Sequence, residues 1–540
     1  MTILKDIRNC DIIVSHTSNR FAVTKELHMK IHLRMFSLLL ALLMLITLSG
    51  CAGETQNDTQ NNAPETNPEP VEMSELAALV PKAEDIDTDG SLTADYLQRA
   101  IDKAKAVLAN TNATQKEVND MTETLGCAME GLYSTADFKD PSEFTATKDI
   151  KDPFQYLDGS YVYNTTEWTK RAAELSAMYQ HYMYGTWRDG SDEEVTYELT
   201  KNDNGYALKI KIKRISTGAE TSVNVTVLMP DASIKAPEGG YPVIVGMHGG
   251  ISEDVANKNG YATITVDFFS YGVASDDTKH TGAFYDLYPY GTEPEEQTGV
   301  LMAWGWGCSK IIDALEVGAG EELNISPVNT IVTGVSRWGK AAIVCGAFDH
   351  RFKMVAPSCS GAGGVALYRY VSEGKTYDFS TKGADSKYTY GQNEPLGSLQ
   401  SSGERGWFND LFLKFKTADT LPMDQHELCS LVADEDRYLF IIGSCIYEDW
   451  VNAPAMWYSY IGAKQVYDAL GLGDHIAINI HQQGHAVIAE DIEYMTDYFD
   501  YHVYGKEPEL NLDDLTTSVF ALDGNIDHDM DNFYKSWMTP

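Results

Sequence analysis

The chain has 540 residues, a formal net charge of −38 and 43% apolar residues. That apolar share excludes wholesale disorder, and the length leaves room for about three domain-sized units. Acidic residues outnumber basic ones 79 to 41, which excludes a phosphate-gripping nucleic-acid surface and a polybasic grip on anionic lipid.

The first element is the apolar run from Met35 to Leu48. It is short for a spanning helix and right for the hydrophobic part of a signal peptide. Lys30, His32 and Arg34 precede it, and it ends in Leu48-Ser49-Gly50-Cys51. That ending resembles a bacterial lipobox, which implies cleavage before Cys51 and lipidation of its thiol. Met29 starts a signal peptide of ordinary length, so residues 1–28 read as upstream sequence. The expected address is the outer side of a bacterial membrane, held there by lipid. Removing residues 1–50 takes away six basic and three acidic residues, so the acidity belongs to the mature part.

Residues 51–71 hold the lipidated cysteine and then a stretch of Gln, Asn, Thr, Pro and Glu without hydrophobic period, which predicts a flexible tether. Over 72–135, Leu97, Ile101, Ala104 and Leu108 recur at helical spacing. So do Val118, Met121, Leu125, Met129 and Leu132. Thr114-Gln115-Lys116-Glu117 between them is a capping-box signature. A bundle of two or three helices is expected. The sequence NTNATQKEVNDMTETLGCAMEGL resembles the FIVAR repeat of bacterial carbohydrate-active proteins, which implies a spacer or a weak binding unit without catalytic residues. Six cysteines remain after Cys51, and four of them lie in apolar runs, so buried free thiols are expected.

From about 140 to 505 strand-like runs come first alone (VTYELT, YALKIKIKRI, VNVTVLMP) and then alternate with helical ones (NTIVTGV, GKAAIVCGAF, FKMVAPSC, RYLFIIGSCI, HIAINI). This order predicts an α/β domain whose mixed sheet turns parallel, of α/β-hydrolase type, with 506–540 as an extension. Three positions carry chemistry. Ser336 follows an apolar strand and Gly334 and opens a helix of small residues, as a nucleophile elbow does, although Trp338 replaces the last glycine of G-x-S-x-G and Gly339 comes one later. Glu448 and Asp449 follow the run Tyr438–Gly443. His485 follows the run Ile476–Ile480. Serine, acid and histidine in that order, each after a strand, form the α/β-hydrolase sequence of a triad. His481, nearer the strand, is expected to bond structurally, and His426 to be a structural histidine. His-Glu-x-x-His, Cys-x-x-Cys and phosphate-loop patterns are missing from the large domain, so neither metal nor cofactor is expected.

The stretch Gly334-Val335-Ser336-Arg337-Trp338-Gly339-Lys340 is similar to the signature of carbohydrate esterase family 15, the glucuronoyl esterases. GVLMAWGWGCSKIIDALE, FDHRFKMVAPSCSGAGGVALYRY, LPMDQHELCSLVADEDRYLF and QQGHAV extend the resemblance over roughly 140–505. It implies hydrolysis of esters between 4-O-methyl-glucuronic acid on xylan and alcohols of lignin, with Ser336 as nucleophile and His485 as base. Arg337 would stabilise the oxyanion, and Lys340, Trp306 and Trp450 would bind sugar. Many members carry the triad glutamate where this chain has Cys359, so the resemblance implies Asp449 as the acid, with Glu448 as the alternative. A sugar-touching glutamate of relatives has no aligned match, and Glu373 lies one residue off. Val335 and Ala486 exclude a disulfide found in fungal members. Other readings are an acetyl xylan or other carbohydrate esterase, and a glycan-binding surface protein without activity. A monomer is expected.

Overall fold

Burial alternates along the strands of the large domain, and the alternation decides which side of the sheet each residue faces. In the computed structural model, residues 70–248, 250–266, 272–379, 387–516 and 519–521 are described, with Asn525, Asp527 and Met530. The signal segment, Cys51 and nearly all of the tether lie outside the described residues.

Among the described residues eleven strands are formed: β1 (Glu193–Asn202), β2 (Gly205–Arg214), β3 (Glu220–Leu228), β4 (Tyr241–Met247), β5 (Ala262–Val266), β6 (Ile325–Val335), β7 (Met354–Ser358), β8 (Thr376–Asp378), β9 (Lys387–Thr389), β10 (Tyr438–Ser444) and β11 (Ile476–His481). Nine make one sheet in the order β1-β2-β3-β5-β4-β6-β7-β10-β11, and β8 and β9 pair separately. The first three pairs in that order are antiparallel, and every pair from β5 onward is parallel. In β2, Leu208, Ile210 and Ile212 are buried while the lysines between them face outward, the mark of a strand covered on one side. In β4, β7 and β10 nearly every residue is buried. Those strands are covered on both sides.

Five further helices matter here: α4 (Trp168–Tyr179), α5 (Val300–Ala314), α6 (Arg337–Phe348), α7 (Ala453–Ala469) and α8 (Ala489–Tyr504), after α1 to α3 of the N-terminal module described below. Val245, Val332, Val355 and Ile441 pack with α5, α6 and α7 in the larger core. Their neighbours Ile244, Ile331, Met354 and Phe440 pack with Ile492 and Met495 of α8 in a second core across the sheet. This is a three-layer α/β-hydrolase arrangement, and it follows from the period-two alternation.

The module consists of α1 (Ser74–Glu84), α2 (Ala94–Ala109) and α3 (Gln115–Glu130) around its own core of Leu76, Leu97, Ile101, Ala104, Val118 and Leu125. The capping box is formed: Thr114 Oγ1 accepts the Glu117 N–H at 3.2 Å and Glu117 Oε2 accepts the Thr114 N–H at 2.6 Å. The module is not a free spacer. Tyr96 is buried in the core of the large domain, and Gln180 Nε2 donates to the Leu92 carbonyl at 2.7 Å. Lys103 pairs with Asp434 and Lys170 with Glu130 at the same seam. The six described cysteines are free, and five are buried. Among the described residues no helix is long and apolar enough to cross a membrane.

Candidate active site

Three of the parallel strands, β6, β10 and β11, end at one edge, and the loops that leave them meet in a single cleft of about 500 Å³. Ser336, Glu448 and His485 line it together. Open α/β sheets place ligand sites at this end of their strands.

Ser336 joins β6 directly to α6 with φ 64° and ψ −127°. A non-glycine residue held there is strained, and strain of about 1–3 kcal/mol persists only where the surroundings over-determine it. Its N–H donates to the Ser358 carbonyl at 2.9 Å. A Cβ on Gly334 would stand 2.5 Å from the Trp338 carbonyl oxygen, and one on Gly339 would stand 2.3 Å from the Ser358 carbonyl oxygen. The close approach that needs a missing side chain therefore falls on Gly339, which is why Trp338 is tolerated where the general motif has glycine.

The geometry brings His485 to the alternative carboxylate, Glu448, rather than to Asp449. Glu448 Oε1 lies 2.5 Å from His485 Nδ1, and the glutamate is 3% exposed. Asp449, expected in that place, accepts instead from the Tyr388 hydroxyl at 3.1 Å, and its carbonyl accepts from Asn393 Nδ2 at 2.8 Å. Tyr447 before them has φ 58°, so the chain turns sharply and the two neighbouring carboxylates diverge. Consecutive loop residues carry no pattern from which that divergence could be read.

His481 bonds structurally, as its position predicts. Its Nδ1 accepts the Gln483 N–H at 3.1 Å, so Nε2 carries the proton and donates to the Ala486 carbonyl at 3.0 Å. Burial pushes its pKa below the usual range, which keeps it neutral. The two bonds bracket His485 and hold its loop.

Around the serine, the basic pair is already matched. Arg337 Nη1 pairs with Asp276 Oδ2 at 2.7 Å, and the other Asp276 oxygen accepts from Trp407 Nε1 at 2.7 Å. The guanidinium lies over the Trp407 ring at 5.2 Å. Lys340 lines the cleft, but its ammonium is buried and donates to the Ser360 and Ala362 carbonyls, each at 2.6 Å, and to Glu394 at 2.8 Å. Its three donors are thus used internally, one of them on Glu394, which also lines the cleft. Glu394 and Glu404 share the cleft with Arg337 and Lys340. Burial, then the charge of Glu394, raises the pKa of Glu404.

Two other expected sugar contacts lie elsewhere. Trp306 is fully buried in α5, with its indole N–H on Glu193 at 2.8 Å, because the helix turns that face into the core. Glu373 is exposed and outside the cleft, and its backbone N–H bonds Asn393 at 3.1 Å. Trp450 does line the cleft and is 41% exposed. Sequence reasoning missed Asp276, Glu394, Glu404, Trp407 and Tyr447. All five come from loops without periodic signal.

Cys359 stands where many relatives were expected to carry the acid. It is buried with φ 45°, and its N–H donates to the Ile442 carbonyl at 2.8 Å. Burial, then the nearby Glu448 charge, pushes its thiol well above the usual range.

Several known proteins are similar to this chain. Residues 212–471 match the family model described as "Glucuronyl esterase, fungi". The chain is 55% identical over 468 residues to a multidomain esterase of Ruminococcus flavefaciens, covering 85% of this chain and 58% of that one. It is 31% identical to the 4-O-methyl-glucuronoyl methylesterase of Hypocrea jecorina, covering 61% of this chain and 63% of that one. The chain thus spans less than two thirds of these curated relatives. The solved structure of a glucuronoyl esterase from Caldicellulosiruptor kristjansonii superposes with a TM-score of 0.62 at 40% identity, covering 71% of this chain and 96% of that one. The chain belongs to carbohydrate esterase family 15, the glucuronoyl esterases.

Proposed function

We propose that this protein hydrolyses esters between 4-O-methyl-glucuronic acid on xylan and alcohols of lignin, through an acyl-enzyme on Ser336. The observation that carries the reading is the 2.5 Å contact between Glu448 and His485 in the same cleft as the strained Ser336. Ser336 Oγ attacks the ester carbonyl and passes its proton to His485. Glu448 holds the imidazole in the tautomer that accepts this proton and stabilises the imidazolium. The Arg337 backbone N–H opens α6 beside the serine and is the oxyanion donor, a role worth several kcal/mol when pre-organised. Protonation of the departing alcohol by His485, attack of water on the acyl-enzyme and return of the proton complete the cycle.

The carboxylates of the cleft support an ester substrate over a free uronate. An esterified uronic acid is uncharged, and Glu394 and Glu404 accept hydrogen bonds from its hydroxyls. The product is an anion, which the same carboxylates repel. Trp450 offers a half-open ring for a sugar or an aromatic alcohol. The lipobox-like Cys51 and the polar tether support attachment to the outer side of a bacterial membrane, with the domain acting on glycan as a monomer.

Turnover of benzyl glucuronate, compared with an acetylated xylan, tests the reading. Rapid hydrolysis of the glucuronate ester, lost in Ser336→Ala, is expected. Hydrolysis of the acetyl ester alone would overturn it.

A further inference from the structure

Cys359, Glu448 and His485 come from three different strand ends, yet each presents a ligand atom within 4.8 Å of the others. The thiol and the carboxylate are buried, while the imidazole is open to the cleft, with 43% of its side chain exposed. One oxygen of Glu448 bonds His485, the other, Oε2, is buried, and the carboxylate has the Cys359 thiol as a weak donor neighbour. A buried carboxylate held by one imidazole and one weak thiol donor is under-satisfied.

We propose that this trio is an inhibitory site for a thiophilic divalent cation of the zinc class. The inference rests on the reading of His485 and Glu448 as base and acid. Sulfur, imidazole nitrogen and carboxylate oxygen are the donor set that suits zinc, and a tetrahedral ion keeps one position for water. Zinc bonds of about 2.0–2.3 Å set tetrahedral ligands roughly 3.3–3.8 Å apart, so the Glu448–His485 pair must open from 2.5 Å while the longer separations of the trio close. The ion displaces one proton, from the Cys359 thiol, which leaves to solvent. The His485 proton moves from Nδ1 to Nε2 as Nδ1 takes the metal, and the Glu448–His485 hydrogen bond is replaced by two metal bonds. A histidine protonated at Nε2 cannot take the Ser336 proton, so turnover stops. A relative with glutamate in place of Cys359 lacks the soft ligand, which makes the thiol the discriminating feature.

Cobalt(II), added to the full chain, reports the site directly through a thiolate-to-cobalt charge-transfer band in the near ultraviolet. One ion per chain with that band in the wild type, and no band in Cys359→Ser, is expected. Zinc should block turnover of benzyl glucuronate, and Cys359→Ser should raise the inhibitory zinc concentration at least about ten-fold relative to that variant's own activity. Magnesium at the same concentrations should leave turnover unchanged. Absence of the wild-type band overturns the site, and so does equal zinc inhibition of wild type and Cys359→Ser. The cobalt spectrum of the wild type needs no variant to fold. A band without loss of turnover leaves the metal site standing and overturns the triad reading instead.

Discussion

Glu448 Oε1 lies 2.5 Å from His485 Nδ1, while the next residue, Asp449, gives its carboxylate to the Tyr388 hydroxyl at 3.1 Å. Two adjacent acids thus serve different partners. Glu448→Gln should lower kcat on benzyl glucuronate on the order of 10³-fold, because the amide cannot stabilise the imidazolium. Asp449→Asn should change kcat by less than about ten-fold, since an amide oxygen still accepts from Tyr388. Steady-state kinetics of the two variants check this, and the reverse ranking would return the acid role to Asp449.

Asp276 bridges Arg337 and Trp407 with its two oxygens, each at 2.7 Å. Asp276→Asn keeps the shape, but its amide oxygen can accept only one of the two bonds and its NH2 faces the other donor, so one charge-assisted bond worth about 1.5–3 kcal/mol is lost and the other is weakened. Arg337 and Trp407 should loosen at the mouth of the cleft. A rise in KM larger than the fall in kcat is expected from initial rates, and thermal stability should change little.

Gly339→Ala would force a Cβ to 2.3 Å of the Ser358 carbonyl oxygen, which also receives the Ser336 N–H. Both atoms are backbone, so neither yields cheaply. Overpacking of this kind costs about 1–3 kcal/mol. A lower denaturant midpoint and a loss of activity beyond the loss of folded protein should appear together, because the elbow itself is displaced. Trp338→Gly would restore the general motif without relieving that contact.

His426, at the start of the short helix Gln425–Ser430, is fully buried and bonds the Lys151 carbonyl at 2.7 Å. Burial lowers its pKa from 6.5 to about 4, although Asp424 partly opposes the shift and Arg369 and Arg171 add to it. The folded state therefore binds the proton less well than the unfolded chain. Its stability contribution is full above pH 6.5 and declines as the pH falls toward 4. The whole of it is on the order of 3 kcal/mol. Denaturation midpoints between pH 7 and 4.5 should fall more shallowly in His426→Gln than in the wild type. Parallel pH profiles would show that this histidine is not the one that resists charging.

Strand runs were legible because β-alternation is local, and the serine elbow because a strand, a glycine and a helix of small residues are contiguous. The histidine of the site was legible for a similar reason, standing a few residues past β11. Which of the two neighbouring carboxylates meets the imidazole was not legible, since the turn at Tyr447, with φ 58°, aims them apart. Trp306 was misjudged because an aromatic in a helix has the same spacing whether it faces a sugar or a core. The internal bonds of Lys340 were not legible because its carbonyl partners at Ser360 and Ala362 belong to another loop.

By itself, the sequence determined the chain order of Ser336, the carboxylates at 448–449 and His485, each after a strand, the acidic balance of the chain, and the capping box at Thr114. These follow from composition, period and nearest-neighbour chemistry, all of which are local. Tertiary structure alone decided which carboxylate meets the imidazole, which charges beside the serine are already paired, and how closely Cys359 approaches both. Those outcomes depend on loops brought together from separate strands, where distances of a few ångströms separate a catalytic contact from a structural one.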